Sequence, residues 1–154
     1  MEIRELTKEN LEEYLDLRVK MLSENEEIGY DIDKIKDQTR DYYMENINKS
    51  LITFGMFDNN KLVAVASIEI IKRLSTPKIN NANSTVGYIC GVYTCEEYRR
   101  QGISKQLLIK TLNFGKSIGI NRFKLSTHNP IAAKMYQTLG FKHNESAMIL
   151  NELD

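Results

Sequence analysis

The sequence is poor in three features that would assign it to a class at once: net charge, cysteine and long apolar runs. Its 154 residues carry a formal net charge of +0, so nonspecific binding to nucleic acid is not expected. The first residues, MEIRELTKENLEEY, are polar and acidic, unlike a secretory signal. The longest apolar stretch, 62–71, contains Glu69 and is too short to span a bilayer. We therefore expect a cytoplasmic protein that binds neither membrane nor nucleic acid.

Cysteine is scarce, and its spacing does not predict a metal site. Cys90 and Cys95 are the two cysteines of the chain, and no second pair lies near them. A C-x4-C spacing alone is a poor zinc signal, and cytosolic thiols stay reduced. Cys90 also has no neighbour in sequence that would activate it as an acyl-carrying nucleophile. We expect two ordinary thiols and no metal.

The zero net charge hides an uneven distribution of charge along the chain. Residues 1–50 carry fourteen acids and eight bases, whereas residues 98–144 carry nine bases and no acid. The basic part indicates a polyanionic ligand. The acidic part indicates either a cationic ligand or a solvated helix surface, and the sequence leaves both open.

Apolar periodicity and turn residues predict one α/β (α+β) domain, residues 1–154, in the order β-α-α-β-β-β-α-β-α-β. The predicted strands are 2–6, 51–57, 61–71, 85–94, 121–127 and a last one near 146–151. The predicted helices are 8–23, 31–48, 102–117 and 130–139. Gly87 and Gly91 lie inside the fourth strand, where glycine often marks a bulge or the close approach of a ligand.

The stretch EYRRQGISKQLL, residues 97–108, places cations at the start of a helix. Arg99, Arg100 and Lys105 lie at the positive end of the helix dipole, where each costs about 0.3–1 kcal/mol. No Ser, Thr, Asp or Asn lies at 99–102 to cap the free amides. A phosphate would satisfy the amides and neutralise the cations, and Gly102 would let it approach the backbone. The stretch therefore predicts a pyrophosphate site.

Two motifs in this order resemble those of the GNAT superfamily of N-acetyltransferases. The first is the bulged strand GYICGVYT followed by the loop Arg99-Arg100-Gln101-Gly102-Ile103-Ser104, which resembles [Arg/Gln]-x-x-Gly-x-[Gly/Ala]. Ser104 departs from that pattern, where the family has Gly or Ala. The second runs from Asn129 through Ala132 to Tyr136, and Gly140-Phe141 follows it.

The resemblance implies a mixed, mostly antiparallel sheet that splits between its fourth and fifth strands, and acetyl-CoA as co-substrate without a metal. It implies that Tyr136 is the general acid, since a phenol of pKa near 10 is protonated at pH 7. It further implies that the cofactor contacts come from the loop amides, the end of the split strand and the second motif. These residues are Val92, Tyr93, Arg99, Arg100, Gln101, Gly102, Ile103, Ser104, Lys105, Asn129, Ala132 and Tyr136.

The sequence does not identify the general base or the acceptor substrate. Candidates for the base are Glu69, Tyr88 and His128, none of which the resemblance singles out. The expected reaction is direct transfer of acetyl to a primary amine of a small molecule or peptide. A cationic acceptor would suit the eight acids of residues 24–45, near which Tyr30, Tyr42 and Tyr43 either line a pocket or pack in the core. The alternatives are a catalytically silent acyl-CoA-binding regulatory module and an interaction domain without CoA. A homodimer is one possible assembly.

Overall fold

The structure is a computed structural model that describes residues 1–24, 31–79, 83–144 and 146–151. It contains a mixed sheet and helices in the order β-α-α-β-β-β-α-β-α. The strands are β1 (Glu2–Glu5), β2 (Leu51–Asp58), β3 (Lys61–Lys72), β4 (Thr85–Thr94) and β5 (Phe123–Lys124). The helices are α1 (Leu11–Glu24), α2 (Ile32–Asn46), α3 (Ile103–Ser117) and α4 (Pro130–Thr138). Short 3-10 turns at Lys8–Asn10 and Glu96–Tyr98 precede α1 and α3.

The sheet has the order β1-β2-β3-β4-β5, and helices cover both of its faces. The first four strands are antiparallel to their neighbours, whereas β5 is parallel to β4. On one face Phe54 and Ile68 pack with α3 and α4. On the other face Val65 packs with α1 and α2, where the rings of Tyr14 and Tyr43 stack 4.7 Å apart. This double coverage explains why β2 and β3 are almost continuously buried.

The turn between β2 and β3 forms as its residue types predict. Asp58 pairs with Lys61, so Asn59 and Asn60 make a two-residue loop. Both asparagines have positive φ, 48° and 67°. Asparagine tolerates this left-handed conformation, and two such residues give the turn a twist that matches the strands.

The carboxyl half of β4 contains a bulge and does not pair with β5, which confirms the expected split of the sheet between its fourth and fifth strands. Ser67 pairs with Cys90 and Val65 pairs with Tyr93, so Ala66 alone lies opposite two residues of β4. One of these is Gly91, whose φ of 57° is left-handed. On the other edge, β5 pairs with β4 only at Gly87 and Tyr88. The segment from Cys90 to Thr94 therefore borders an opening in the sheet.

The prediction of a last strand near 146–151 is wrong. Residues 146–151 have no regular structure, and Met148, Ile149 and Leu150 are 97%, 89% and 85% exposed. A strand needs a neighbouring strand to bond its amides and carbonyls. The strand β5 offers an edge of two residues, far shorter than the strand predicted at 121–127.

Gly29 and Tyr30 lie outside the described residues. Within the described ranges, no helix is long and apolar enough to cross a membrane.

Candidate functional site

Two cavities flank the bulge of β4, one on each side. The larger, of about 740 Å³, lies between the end of β4, the start of α3 and α4. The smaller, of about 360 Å³, lies between α1, α2 and the strands β3 and β4. Val92 lines the larger cavity and its neighbour Gly91 lines the smaller one. The two cavities are therefore lined by adjacent residues of the bulge.

The structure brings most of the predicted cofactor residues together around the larger cavity. Those that line it are Val92, Tyr93, Arg99, Arg100, Gly102, Ile103, Ser104, Lys105, Asn129, Ala132 and Tyr136. Gln101 is exposed and lines neither cavity. Of the candidate bases, Glu69 lines the smaller cavity, whereas the exposed His128 and the half-buried Tyr88 line neither.

Helix α3 begins at the larger cavity without a side-chain cap. The amide of Gln106 donates to the carbonyl of Gly102 over 3.1 Å, which makes it the first amide bonded within this turn. The amides of residues 103–105 are therefore the ones that helix geometry leaves for another acceptor. Gly102 is left-handed, with φ 74°, and a Cβ built on it would meet nothing within 4 Å. The start of α3 thus has both the donors and the space for an anionic group.

Arg99 makes two hydrogen bonds within the protein. Its Nη2 donates to Glu24 over 2.6 Å and its Nε donates to the carbonyl of Thr94 over 2.9 Å. Glu24 also accepts a hydrogen bond of 2.7 Å from the hydroxyl of Tyr93. That bond, followed by the contact with Arg99, lowers the pKa of Glu24. Arg99 therefore joins the end of β4 to the end of α1. Arg100 and Lys105 beside the helix start are exposed, as Arg99 is, but form no ion pair among the described residues.

Ser104, the departure from the family motif, has a partner that sequence reasoning missed. Its Oγ lies 2.8 Å from Oγ1 of Thr94, the last residue of β4. Either hydroxyl can donate, so the serine joins the start of α3 to the split strand. A glycine or alanine at this position would leave the Thr94 hydroxyl without that bond.

Helix α4 is fixed at one end by a cap and in the middle by aromatic packing. Asn129 Oδ1 accepts from the amides of Ile131 and Ala132 over 2.9 and 3.3 Å, as its position before Pro130 predicts. Tyr136 is 9% exposed and its ring meets that of Phe141 edge-on, at 6.0 Å. Burial raises the pKa of Tyr136 above its ordinary value of 10.0. The phenol is therefore protonated at neutral pH.

The smaller cavity holds a carboxylate and a protonated thiol. Cys90 Sγ donates to Oε1 of Glu69 over 3.2 Å. Burial, and then the carboxylate of Glu69, raise the pKa of Cys90 to about 12, so it is not a thiolate nucleophile at neutral pH. Burial and the same carboxylate raise the pKa of Tyr42 to about 12.

The acids of residues 24–45 do not line the smaller cavity in the described part of that segment. Glu24 holds Arg99, Asp31 caps α2, and Asp37 pairs with Arg40 over 2.8 Å on the helix surface. Glu26, Glu27 and Tyr30 lie outside the described residues. Of the other two tyrosines, Tyr43 is fully buried in the core, whereas Tyr42 is 42% exposed and lines the cavity. The acidity of this segment is therefore mostly that of a solvated surface.

A sheet split beside a helix start that has no side-chain cap defines a mixed α/β fold with an anion-binding position at the start of α3. The chain belongs to the Acetyltransferase (GNAT) family, whose sequence model matches residues 11–141. Both the expected family and the expected fold are thereby confirmed. No curated protein sequence matches the chain.

Solved structures with this fold cover almost the whole chain. A predicted acetyltransferase from Clostridium acetobutylicum, crystallised with acetyl-CoA, is 25% identical with a TM-score of 0.84, over 99% of this chain and 96% of that one. A GCN5-related N-acetyltransferase from Ralstonia eutropha is 20% identical with a TM-score of 0.83, over 97% of each chain. An aminoglycoside antibiotic 6'-N-acetyltransferase from Acinetobacter haemolyticus is 19% identical with a TM-score of 0.74, over 99% and 98%. The last two show the fold alone.

Proposed function

We propose that this chain transfers an acetyl group from acetyl-CoA to a primary amine, by direct transfer at the bulge of β4. The observation that carries the proposal is that adjacent residues of that bulge line two chemically different cavities. One presents helix amides and a protonated tyrosine, and the other presents a carboxylate. A donor and an acceptor bound in the two cavities would approach each other at Gly91 and Val92.

The larger cavity fits the donor. The amides of residues 103–105 would hold the pyrophosphate, with Arg100 and Lys105 near it, in the space beside Gly102. Val92 and Tyr93 lie where the split leaves one edge of β4 without a neighbouring strand, and their backbone would pair with the pantetheine arm. Acetyl-CoA would supply an acetyl group activated as a thioester. The Clostridium acetobutylicum relative, with acetyl-CoA bound, supports this donor.

Tyr136 would give a proton to the departing sulfur. It lines the larger cavity, and its raised pKa means that the phenol carries this proton at neutral pH. The sulfur would take the proton as the C–S bond breaks, and a positioned general acid contributes about 10²–10⁴-fold in rate. The backbone amides at the bulge would stabilise negative charge on the carbonyl oxygen.

The acceptor amine must lose a proton before it can attack. An ordinary primary amine of pKa near 10.4 is neutral in only about one molecule in 2,500 at pH 7. Glu69 lies in the acceptor cavity and is the candidate base that the cavity supports. His128, which lines neither cavity, remains a candidate through a longer water-mediated route only.

The test is release of free CoA thiol from acetyl-CoA with a panel of primary amines, wild type against Tyr136→Phe. We expect kcat to fall about 10²–10⁴-fold in the variant while the Kd for CoA changes by less than about twofold. Tyr43→Phe is the matched control, because Tyr43 is buried, lines neither cavity and donates its hydroxyl to the carbonyl of Thr7. Equal turnover in wild type and Tyr136→Phe would refute the role of Tyr136.

Two other outcomes would replace the proposal. CoA binding without turnover for any amine would favour the silent regulatory module. No binding of CoA to the wild type or to Gly102→Glu would favour an interaction domain without CoA.

A further inference from the structure

We infer that the acceptor carries a carboxylate as well as its amine, as amino acids do, and that Arg18 binds this carboxylate while Glu69 receives the amine. The inference rests on the proposed function and specifies the substrate class of the smaller cavity. It differs from the polycationic acceptor that the acids of residues 24–45 suggest.

Arg18 is a cation that lines the smaller cavity and has no carboxylate partner within the described part of the chain. It is half-buried on α1, and its Nη1 lies 3.9 Å from the Sδ of Met21, which is a weak acceptor. Among the described residues, the ion pairs are Arg4 with Glu2, Arg40 with Asp37 and Arg99 with Glu24, so Arg18 has none. A guanidinium in a partly desolvated cavity gains most from a planar anion that accepts two hydrogen bonds.

The guanidinium also lies close to the reacting strand. A Cβ built on Gly91 would lie 4.0 Å from Arg18 Nη1, 3.9 Å from the hydroxyl oxygen of Tyr14 and 3.7 Å from Ser67 Oγ. Arg18 is therefore at the bulge end of the cavity. Glu69 is also near the bulge, because its Oε1 accepts a hydrogen bond from Cys90, the residue before Gly91. An amine bound to Glu69 would therefore also be near the place of the acetyl group.

Glu69 supplies the opposite charge. Its carboxylate already accepts a hydrogen bond from the Cys90 thiol. Two carboxylate oxygens have roughly four lone-pair sites, so they can also accept hydrogen bonds from an ammonium group. Among the described lining residues, Arg18 and Glu69 are the charged ones, one of each sign. A ligand with one cation and one anion matches this pair, whereas a polycation would place positive charge against Arg18.

The rest of the lining suits a small polar acceptor. Gln38 and Thr39 of α2 add uncharged hydrogen-bonding groups to the lining, and Tyr14 and Tyr42 add aromatic surface.

The experiment compares acceptors that differ only in the carboxylate. Free amino acids, with the amine at increasing distance from the carboxylate, are assayed against the corresponding amino acid amides by thiol release from acetyl-CoA. We expect at least one amino acid to exceed its amide about 10- to 100-fold in kcat/KM, the range of a charge-assisted hydrogen bond. Arg18→Gln should remove this preference by lowering kcat/KM for the acid and leaving the amide unchanged.

Arg40→Gln is the matched control, since Arg40 pairs with Asp37 on the surface of α2 and should keep the preference. Calorimetric binding of CoA to each variant reports that the domain is folded. Binding of the best amino acid, measured in the same way, should weaken about 10- to 100-fold in Arg18→Gln only.

The outcomes separate the two proposals. Turnover of amides and acids at equal rates, or an equal loss for both in Arg18→Gln, would overturn the inference and leave the transfer activity in place. Binding of an amino acid through Arg18 without turnover would support the inference and overturn the proposed function. Absence of both binding and turnover for every acceptor would overturn both.

Discussion

Gly102 allows the stability of the fold and the affinity for CoA to be tested separately. Its φ of 74° is left-handed, a conformation that costs an ordinary L-residue about 1–2 kcal/mol. A Cβ at this position meets nothing within 4 Å, so Gly102→Ala adds no clash in the free protein. We therefore expect Gly102→Ala to lose about 1 kcal/mol of folding free energy, or about 2–4 °C in Tm for a domain near this size.

The open space beside Gly102 is the space assigned to the pyrophosphate. Asparagine tolerates the left-handed conformation, so Gly102→Asn should be closer to wild type in stability than Gly102→Ala. Its side chain would nevertheless occupy the position of the ligand beside the amides of residues 103–105. We expect the Kd for CoA, measured by calorimetry, to rise about tenfold or more in Gly102→Asn.

Gly119 provides the matched control for this pair. It is also left-handed, with φ 92°, and a Cβ on it also meets nothing within 4 Å, but it lies beyond the far end of α3. Gly119→Ala should lose stability as Gly102→Ala does and keep the wild-type affinity for CoA. Wild-type affinity in Gly102→Asn would refute the placement of the pyrophosphate at the start of α3.

Two further predictions concern the support of the site. In Gly115→Ala a new Cβ would lie 2.5 Å from Phe123 Cε1. We expect urea unfolding to show a net loss of about 1–2 kcal/mol in the free energy of unfolding, because the cost of overpacking is only partly offset by the higher helix propensity of alanine. Unchanged stability would show that Phe123 does not pack on position 115. Glu24→Gln should lose under about 1 kcal/mol at pH 7, because this ion pair is well exposed. The pKa of Glu24 is lowered in the folded state, so this stabilisation is present above its ordinary value of 4.5 and is lost as the pH falls through the lowered pKa. Urea unfolding at acid pH should therefore show the two proteins converging, and a difference that grows on acidification would contradict the contact.

The sequence predicted most of the fold because its strongest patterns are local. The strands from Leu51 to Thr94 and the helix α3 follow from long apolar runs and a clear turn, and their bounds agree within a residue or two. The terminal strand failed because the apolar run at 148–150 is a local signal, whereas a strand exists only where a neighbour offers an edge.

Parts of the candidate site depend on contacts between residues far apart in the chain, which periodicity does not show. Arg99 pairs with Glu24 across 75 positions, a contact that no local pattern shows. Thr94 and Ser104 are closer together, but their hydrogen bond depends on how β4 ends against α3. Arg18 belongs to no motif, and it becomes a candidate binding residue only because α1 packs beside the bulge at Gly91.

The most direct test of the account is the stoichiometry of a reaction mixture of the wild-type protein, acetyl-CoA and a reactive primary amine. Free thiol is followed by a colorimetric reagent, and the N-acetylated amine is counted by mass spectrometry in the same samples. The account predicts that both appear together, one amide for each thiol released. Thiol release without an N-acetylated product, or no release with any amine, would contradict acetyl transfer at the bulge of β4.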